Sequence, residues 1–505
     1  MTTEAGGEKD AGDFLSGLAA GRPQVLVRRV IDDLETPVSA YLKLGRDRPY
    51  ACLLESVEGG AVKGRYSILT LDPDVVWRCR GEQAEIARGA AAIADGRFTP
   101  EPVPSLASLR SLIAASTFDL PDDLPPMAAG LFGVFGYDIV RLLEPLGRAN
   151  PDPLDLPDAV LTRPSLVAIF DSVKHEIVLV SAAYPDAGAS ASALEAAQAR
   201  LDAFETALRQ PLPVRAAPQE TAPPVFTSPV DEAGFGGMVA RAKDYIGAGD
   251  IFQVVLSHRF SAPWTDDPFA FYRSLRRQNP SPYLFYLNFD GFQLAGSSPE
   301  ILVRLKDGEV TIRPLAGTRA RGATPEADRA LEEELLADPK ERAEHLMLLD
   351  LGRNDVGRVA APGSVEVTES FVVERYSQVM HIVSNVRGKA DPKLDAVDTL
   401  LAALPAGTLS GAPKVRAMEI IDELEGEKRG VGYGGGVGYL SAGGEADICI
   451  TLRTALFADD RIFVQAGAGV VADSDPAAEY AETRHKARAP MRAAEDAWRF
   501  RTGNR

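Results

Sequence analysis

Two pairs of glutamates stand out by their spacing. Glu341 and Glu344 lie three apart in a helical pattern, and Glu479 and Glu482 repeat that spacing in Ala478-Glu-Tyr-Ala-Glu-Thr-Arg-His485. Residues three apart share a helix face. Two such helices can offer oxygen ligands to a hard cation such as Mg2+, which keeps several waters and takes only one or two carboxylates. The same spacing also fits glutamates on a solvated helix. Two glycine clusters follow, Gly430-Val-Gly-Tyr-Gly-Gly-Gly-Val-Gly438 and Ala466-Gly-Ala-Gly-Val470, the second directly after the strand-like Arg461-Ile-Phe-Val-Gln465. Neither continues as Gly-Lys-Ser/Thr, which excludes a Walker loop. They supply either backbone N–H groups that approach an anion closely or bulges and tight turns between strands. Arg453 alternates with apolar neighbours in Asp447-Ile-Cys-Ile-Thr-Leu-Arg-Thr-Ala-Leu456, read as one strand, and its guanidinium needs a core carboxylate or an anionic ligand there. His381, in Tyr376-Ser-Gln-Val-Met-His-Ile-Val383, fits a satisfied core histidine as well as a catalytic one.

The elements that hold these groups read as α+β. Between 25 and 74, short β-rich runs are broken by turn residues, with Glu58-Gly-Gly60 and Lys63-Gly64 suited to hairpins. Further strand-like runs come at 131–137, 165–170 and 176–180, and 190–208 is Ala-rich and helical. The regular strand–helix alternation of a doubly wound sheet is absent, so the pattern is antiparallel. Six prolines fall between 210 and 229, and no apolar period runs through them, which reads as a linker. Beyond it the chain shows a helix at 235–249, a strand at 251–256, a helix at 268–278 and a hairpin at 283–295. Another helix starts at Asp338-Pro339, an N-cap with Pro at the first helical position, and is expected to end near Gly352. The expected division is a flexible N-terminus over 1–24, an N-terminal region over 25–209, the Pro-rich linker over 210–229 and a second domain over 230–500.

Composition narrows the function classes. The 505 residues carry 54 Lys and Arg against 72 Asp and Glu, a formal net charge of −18, with 45% hydrophobic residues. That is ordinary globular composition, and such a balance removes the main electrostatic drive for binding nucleic acid. Three cysteines without CxxC spacing argue against a disulfide framework and fit a reducing cytoplasm. An acidic N-terminal stretch and the absence of an apolar run of about 20 residues point to neither a signal peptide nor a membrane span.

Four longer motifs complete the pattern: Pro314-Leu-Ala-Gly-Thr-Arg-Ala-Arg-Gly322, Glu344-His-Leu-Met-Leu-Leu-Asp-Leu-Gly-Arg-Asn-Asp355, Gly407-Thr-Leu-Ser-Gly-Ala-Pro-Lys-Val-Arg-Ala-Met418 and Gln465-Ala-Gly-Ala-Gly-Val-Val471. Together they resemble the chorismate-utilising enzymes, most closely the large subunits (component I) of anthranilate synthases, over about residues 25 to 495. The resemblance implies large antiparallel β-sheets packed in a sandwich with helices on the outer faces. It also implies that 25–209 is a regulatory, tryptophan-binding region and 230–500 the chorismate-binding catalytic domain.

Two positions bear on the reaction. Isochorismate-forming members carry a Lys base for a water nucleophile where this chain has Gln253, and a neutral amide suits ammonia instead. Aminodeoxychorismate synthases commonly place a nucleophilic Lys where this chain has Ala316. Both differences favour amination of chorismate at C2 followed by loss of pyruvate to give anthranilate, the first committed step of tryptophan biosynthesis. Aminodeoxychorismate synthase component I, of the folate pathway, is the alternative.

Carried across by resemblance, Gly317, Thr318, Tyr433, Arg453, Gly467, Ala468, Gly469 and Lys486 match substrate-binding positions, and Glu344 and Glu482 the Mg2+ ligands. Glu300 is the implied acid for the departing C4 hydroxyl, with His381 and Thr408 near the ring. Leu53-Leu-Glu-Ser56 resembles the tryptophan-binding motif of feedback-inhibited members, so Ser56 with Pro282, Tyr283 and Leu284 is expected to form the inhibitor site. Cys52, Cys79 and Cys449 lack the glycine-flanked turn and His partner that a glutaminase nucleophile needs. Ammonia is therefore expected from a separate glutamine amidotransferase subunit (component II) in a hetero-oligomer.

Overall fold

The chain is described by a computed structural model covering residues 3–4, 11–58, 62–185, 191–212, 222–376 and 379–501. Its fold is α+β, and the strand pairings that build the site are all antiparallel. One run of strands begins at Gln253–Pro263 and passes through Arg461–Val470, Thr454–Ala458, Phe292–Ser298, Tyr283–Phe289 and Cys52–Glu58 to Val62–Arg80. A second run begins at Glu366–Arg375 and passes through Val379–Lys389, Glu309–Ile312, Ile301–Lys306, Ala446–Ile450 and Gly436–Ser441 to Gly130–Phe135. The two meet at Ala159–Asp171, which pairs with both Val62–Arg80 and Gly130–Phe135.

Pairing ignores the Pro-rich stretch. Cys52–Glu58 lies against Tyr283–Phe289, and Gly130–Phe135 against Gly436–Ser441, so residues from 25–209 and 230–500 share their sheets. They also share a core, in which Leu53 and Leu69 pack in one cluster with Phe269, Phe457 and Ala493. Within 1–24, read from sequence as flexible, Ala11–Ala19 is a helix whose Phe14 and Leu18 are buried against Ala197. Residues 213–221 of the linker, and Gly59 and Gly60 of the first expected hairpin turn, lie outside the described residues.

Three helices begin as their sequences dictate. Asp267, Asp338 and Asp475 each accept a backbone N–H of the first turn, and Pro follows each as the first helical residue of Pro268–Gln278, Pro339–Gly357 and Pro476–Asp496. Three expectations change. The helix from Pro339 runs on past Gly352 to Gly357, because Gly352 keeps a helical backbone facing Ile312 and Pro314 and does not take the left-handed φ of a helix C-cap. The expected single strand through Arg453 is two strands, Ala446–Ile450 and Thr454–Ala458, because the chain changes partners there, leaving Ile301–Lys306 for Phe292–Ser298. Arg453 sits in that switch with φ 48°, a left-handed conformation rarely taken by a long side chain. Finally, Gly467 and Gly469 fall inside the strand Arg461–Val470 rather than after it, opposite Ser257 and Val255.

Candidate active site

The bulge at Gly317 aims the first group. In Leu315–Ala320, Ala316 lies opposite Ile382 and Thr318 opposite His381, so Gly317 is the extra residue, with φ +69°. Thr318 Oγ1 then lies 3.0 Å from His381 Nδ1, and the Gly317 carbonyl 3.2 Å from it. A carbonyl only accepts, so Nδ1 carries the hydrogen of the neutral ring and Nε2 the lone pair. Burial, helped by the charge of Arg453, pushes the His381 pKa down to about 4. The imidazole is therefore neutral at neutral pH, a base or hydrogen-bond acceptor rather than a proton donor.

Glu300 follows the strand Phe292–Ser298 and is buried, with the Thr408 hydroxyl 3.3 Å from its Oε2. Burial pushes its pKa up to about 8, against the opposing pull of Thr408, the Leu315 backbone and Arg453. At neutral pH it holds a proton that it can give away. Arg453 is partly buried and has no ion-pair partner among the described residues, although desolvation works against its charge. The carboxyl group that acts on it is Glu300, which holds its proton at neutral pH and so leaves the guanidinium's charge for an anionic ligand.

Tyr433 enters from the turn Gly430–Gly432, its ring buried and its hydroxyl close to the strand glycines. A Cβ on Gly467 would fall 2.7 Å from the Tyr433 hydroxyl and 2.6 Å from the Leu256 carbonyl, and one on Gly469 would fall 2.6 Å from Gln253 Nε2. Glycine is thus required there for the side chains of Tyr433 and Gln253 to close over the backbone. Gln253 is 2% exposed, and its Oε1 has no hydrogen-bond partner among the described residues. An orphaned acceptor in such a place costs about 1 to 3 kcal/mol, unless a donor-bearing molecule fills it.

The glutamate pairs separate. Glu341 accepts from Arg319 at 2.9 Å, and Glu479 is 7% exposed, with a bond from Ser474 among its interactions. Glu344 is half-buried with no ion pair among the described residues, and its carboxyl is raised by burial and by the charges of Glu341 and Glu482. Among the described residues Glu482 is paired only with Lys486, at 2.7 Å between half-exposed side chains. An exposed i,i+4 pair is worth about 0.3 to 0.5 kcal/mol, so it yields easily to a divalent cation. No cluster of three or more His, Cys, Asp or Glu side chains poised for a metal occurs among the described residues. The all-oxygen donors Glu344 and Glu482, the first raised by burial and by its acidic neighbours, fit a cation that keeps most of its own water. Lys486, expected near a substrate carboxylate, directs its ammonium to Glu482 instead.

Ser56, Pro282, Tyr283 and Leu284 line one cavity of about 880 Å3, and its wall also includes Glu300 and Tyr376. Ser56 stands opposite Tyr283 across the strand pair. The Tyr283 hydroxyl donates to Asp447 Oδ1 at 3.0 Å and receives a bond from Arg304 at 3.0 Å. Sequence reasoning missed Tyr376, which lies edge-on to His381 at 5.7 Å between ring centres; an aromatic at a strand end gives no sign of it. It weighed Gln253 by residue type but had no means of finding its unpaired oxygen.

Comparison with known proteins matches residues 72–492 to the family model described as chorismate binding enzyme. Anthranilate synthase component 1 of Cereibacter sphaeroides is 56% identical over 495 residues, covering 97% of this chain and 99% of that protein. Its counterpart from Pseudomonas putida is 49% identical over 492 residues, covering 95% and 97%. Among solved structures, anthranilate synthase component I from Streptococcus pneumoniae TIGR4 superposes with a TM-score of 0.75 at 37% identity, covering 92% of this chain and 98% of that one. The menaquinone-specific isochorismate synthase MenF from Escherichia coli, at 21% identity and a TM-score of 0.68, covers 96% and 98% and shares the fold.

Proposed function

The chain belongs to the chorismate binding enzyme family, and on that premise we propose that it is an anthranilate synthase large subunit, converting chorismate and ammonia to anthranilate, pyruvate and water. The observation that carries this reading is the buried, protonated Glu300 beside Thr408, together with an Arg453 that makes no ion pair among the described residues. Such a site binds an anion and hands a proton to a leaving group.

In the first stage ammonia forms a bond to C2, the ring double bonds shift, and the C4 hydroxyl leaves as water with the proton of Glu300. Arg453 and the glycine backbone at 467–469 hold carboxylate. Gln253 Oε1 accepts an N–H of the ammonia, whose own lone pair does the attacking; no base is needed to create the nucleophile. In the second stage the C2 proton leaves and the enolpyruvyl oxygen departs from C3, giving pyruvate and an aromatic ring. The neutral His381, with its lone pair on Nε2, is suited to take that proton. Glu344 and Glu482 would hold a Mg2+ ion, which would supply positive charge for the ring carboxylate. Thr318 keeps the imidazole in position, and Tyr433 closes the cradle over Gly467.

Two further parts complete the reading. L-Tryptophan occupies the end of the cavity lined by Ser56 and Pro282 to Leu284 and inhibits the enzyme. Ammonia comes from a separate amidotransferase subunit, because burial pushes the Cys52 and Cys79 thiols up to about 12 and Cys449 higher still, leaving no reactive thiolate here.

The test is incubation with chorismate, ammonium and Mg2+, followed by fluorescence for anthranilate. The reading predicts a fluorescent product that requires Mg2+ and is suppressed by tryptophan. Accumulation of aminodeoxychorismate without anthranilate would assign the chain to the folate pathway instead.

A further inference from the structure

The helix Lys414–Glu425 ends at Gly426, φ +70°, and the chain then turns Arg429 back into the interior, where its side chain is 1% exposed beside a 4% exposed Glu425. Arg429 Nε donates to Glu425 Oε2 at 2.9 Å, Nη1 to the Leu409 carbonyl at 2.6 Å and Nη2 to the Val255 carbonyl at 2.7 Å. The guanidinium carbon also lies 4.7 Å from the Tyr137 ring centre and 5.3 Å from that of Tyr433. Glu425 Oε1 in turn accepts from the backbone and hydroxyl of Ser257, at 2.7 and 2.8 Å, and Ser257 is the residue opposite Gly467. Every strong bond of this pair therefore ends on a segment next to a proposed substrate contact. Leu409 follows Thr408, Val255 is two residues from Gln253, and Tyr433 lies against Gly467.

A buried ion pair is often no more stabilising than apolar packing of the same volume, so stability gives no reason for one here. Geometry does. A planar guanidinium with five donors can hold two backbone carbonyls and a carboxylate at once while its face supports an aromatic ring; an ammonium can do no such thing. We propose that Arg429, clamped by Glu425, is the positioning residue of the substrate cradle, holding the Thr408 turn and the Tyr433 ring in register with the strand pair that carries Gln253 and Gly467. The inference rests on the reading above that these groups face chorismate. Arg429 itself acts only through them.

The experiment uses the full chain and steady-state kinetics with chorismate and saturating ammonium and Mg2+. It compares the wild type with Arg429→Lys, Thr408→Ala and the double variant, with thermal melting to verify folding. A displacement of about 1 Å in a reacting geometry costs on the order of 100-fold in rate, so Arg429→Lys is expected to lower kcat/KM for chorismate by about 10- to 100-fold. In the Thr408→Ala background the same change is expected to cost several-fold less, because the hydroxyl it positions is gone. A folded Arg429→Lys enzyme with unchanged kcat/KM, or a loss of equal size with and without Thr408, would overturn the inference. Should Arg429→Lys fail to fold, Glu425→Gln, which keeps an acceptor for Ser257, is read against Thr408→Ala in the same way. Absence of turnover in the wild type would instead sink the functional reading on which the inference stands.

Discussion

In the proposed reaction, a carboxyl group that holds its proton at neutral pH is the chemical centre of the site. Glu300 is an acid below a pKa of about 8, and His381 is neutral above about 4. If the first must be protonated and the second neutral, kcat is level between those limits and falls tenfold per pH unit above the upper one. Glu300→Gln should lower kcat by about 100- to 10,000-fold, the usual range for losing a general acid, and erase the alkaline limb of the residual rate. A folded variant that keeps that limb would assign it to another group. Glu482→Gln should abolish Mg2+-dependent turnover, and titration calorimetry with Mg2+ should show weakened binding; unchanged Mg2+ dependence would remove Glu482 from the metal site. At this scale the sequence carried residue types but not environments. Ser298-Pro-Glu300 gives no hint of burial, and the unpaired oxygen of Gln253 exists only once the strands have packed.

Elements were legible where local chemistry decides them. An Asp-Pro pair that opens a helical pattern marks the start of Pro268–Gln278, Pro339–Gly357 and Pro476–Asp496, whereas Asp72-Pro73, without such a pattern after it, lies within the strand Val62–Arg80. Where tertiary packing decides, local signals mislead. Gly352 reads as a stop but is a contact surface for Ile312 and Pro314, and Arg453 reads as a strand residue but occupies a left-handed switch between strands. The glycines of Arg461–Val470 read as a loop after a strand, yet they are the strand itself, kept bare by Tyr433 and Gln253. Adding one methyl group tests that reason. Gly467→Ala should cost about 1 to 3 kcal/mol in stability from overpacking and raise KM for chorismate, read by melting and by initial rates. An unchanged KM would mean that this strand does not touch substrate.

Across the whole molecule, charge and topology pose the larger questions. A net charge of −18 repels a dicarboxylate at long range, but physiological salt screens such repulsion beyond about 8 to 10 Å. In the proposed reading binding is decided locally, by Arg453, the strand backbone and the proposed Mg2+. The Pro-rich stretch divides the sequence more sharply than the structure, since sheets and core run across it through pairings more than 200 residues apart that no local pattern announces. One consequence is that the proposed inhibitor end and Glu300 line a single cavity. Ser56→Phe should fill the former and relieve inhibition by tryptophan while leaving kcat near that of the wild type; retained inhibition would move the inhibitor elsewhere.

The central claim is that ammonia attacks C2 of chorismate. Nitrogen-15 ammonium supplied with chorismate and Mg2+, followed by nuclear magnetic resonance of the products, tests it most directly. The expected result is label on the ring carbon adjacent to the one bearing the carboxylate, with one pyruvate released per labelled anthranilate. Label at the ring carbon that carried the hydroxyl, with the enolpyruvyl group retained, would contradict it.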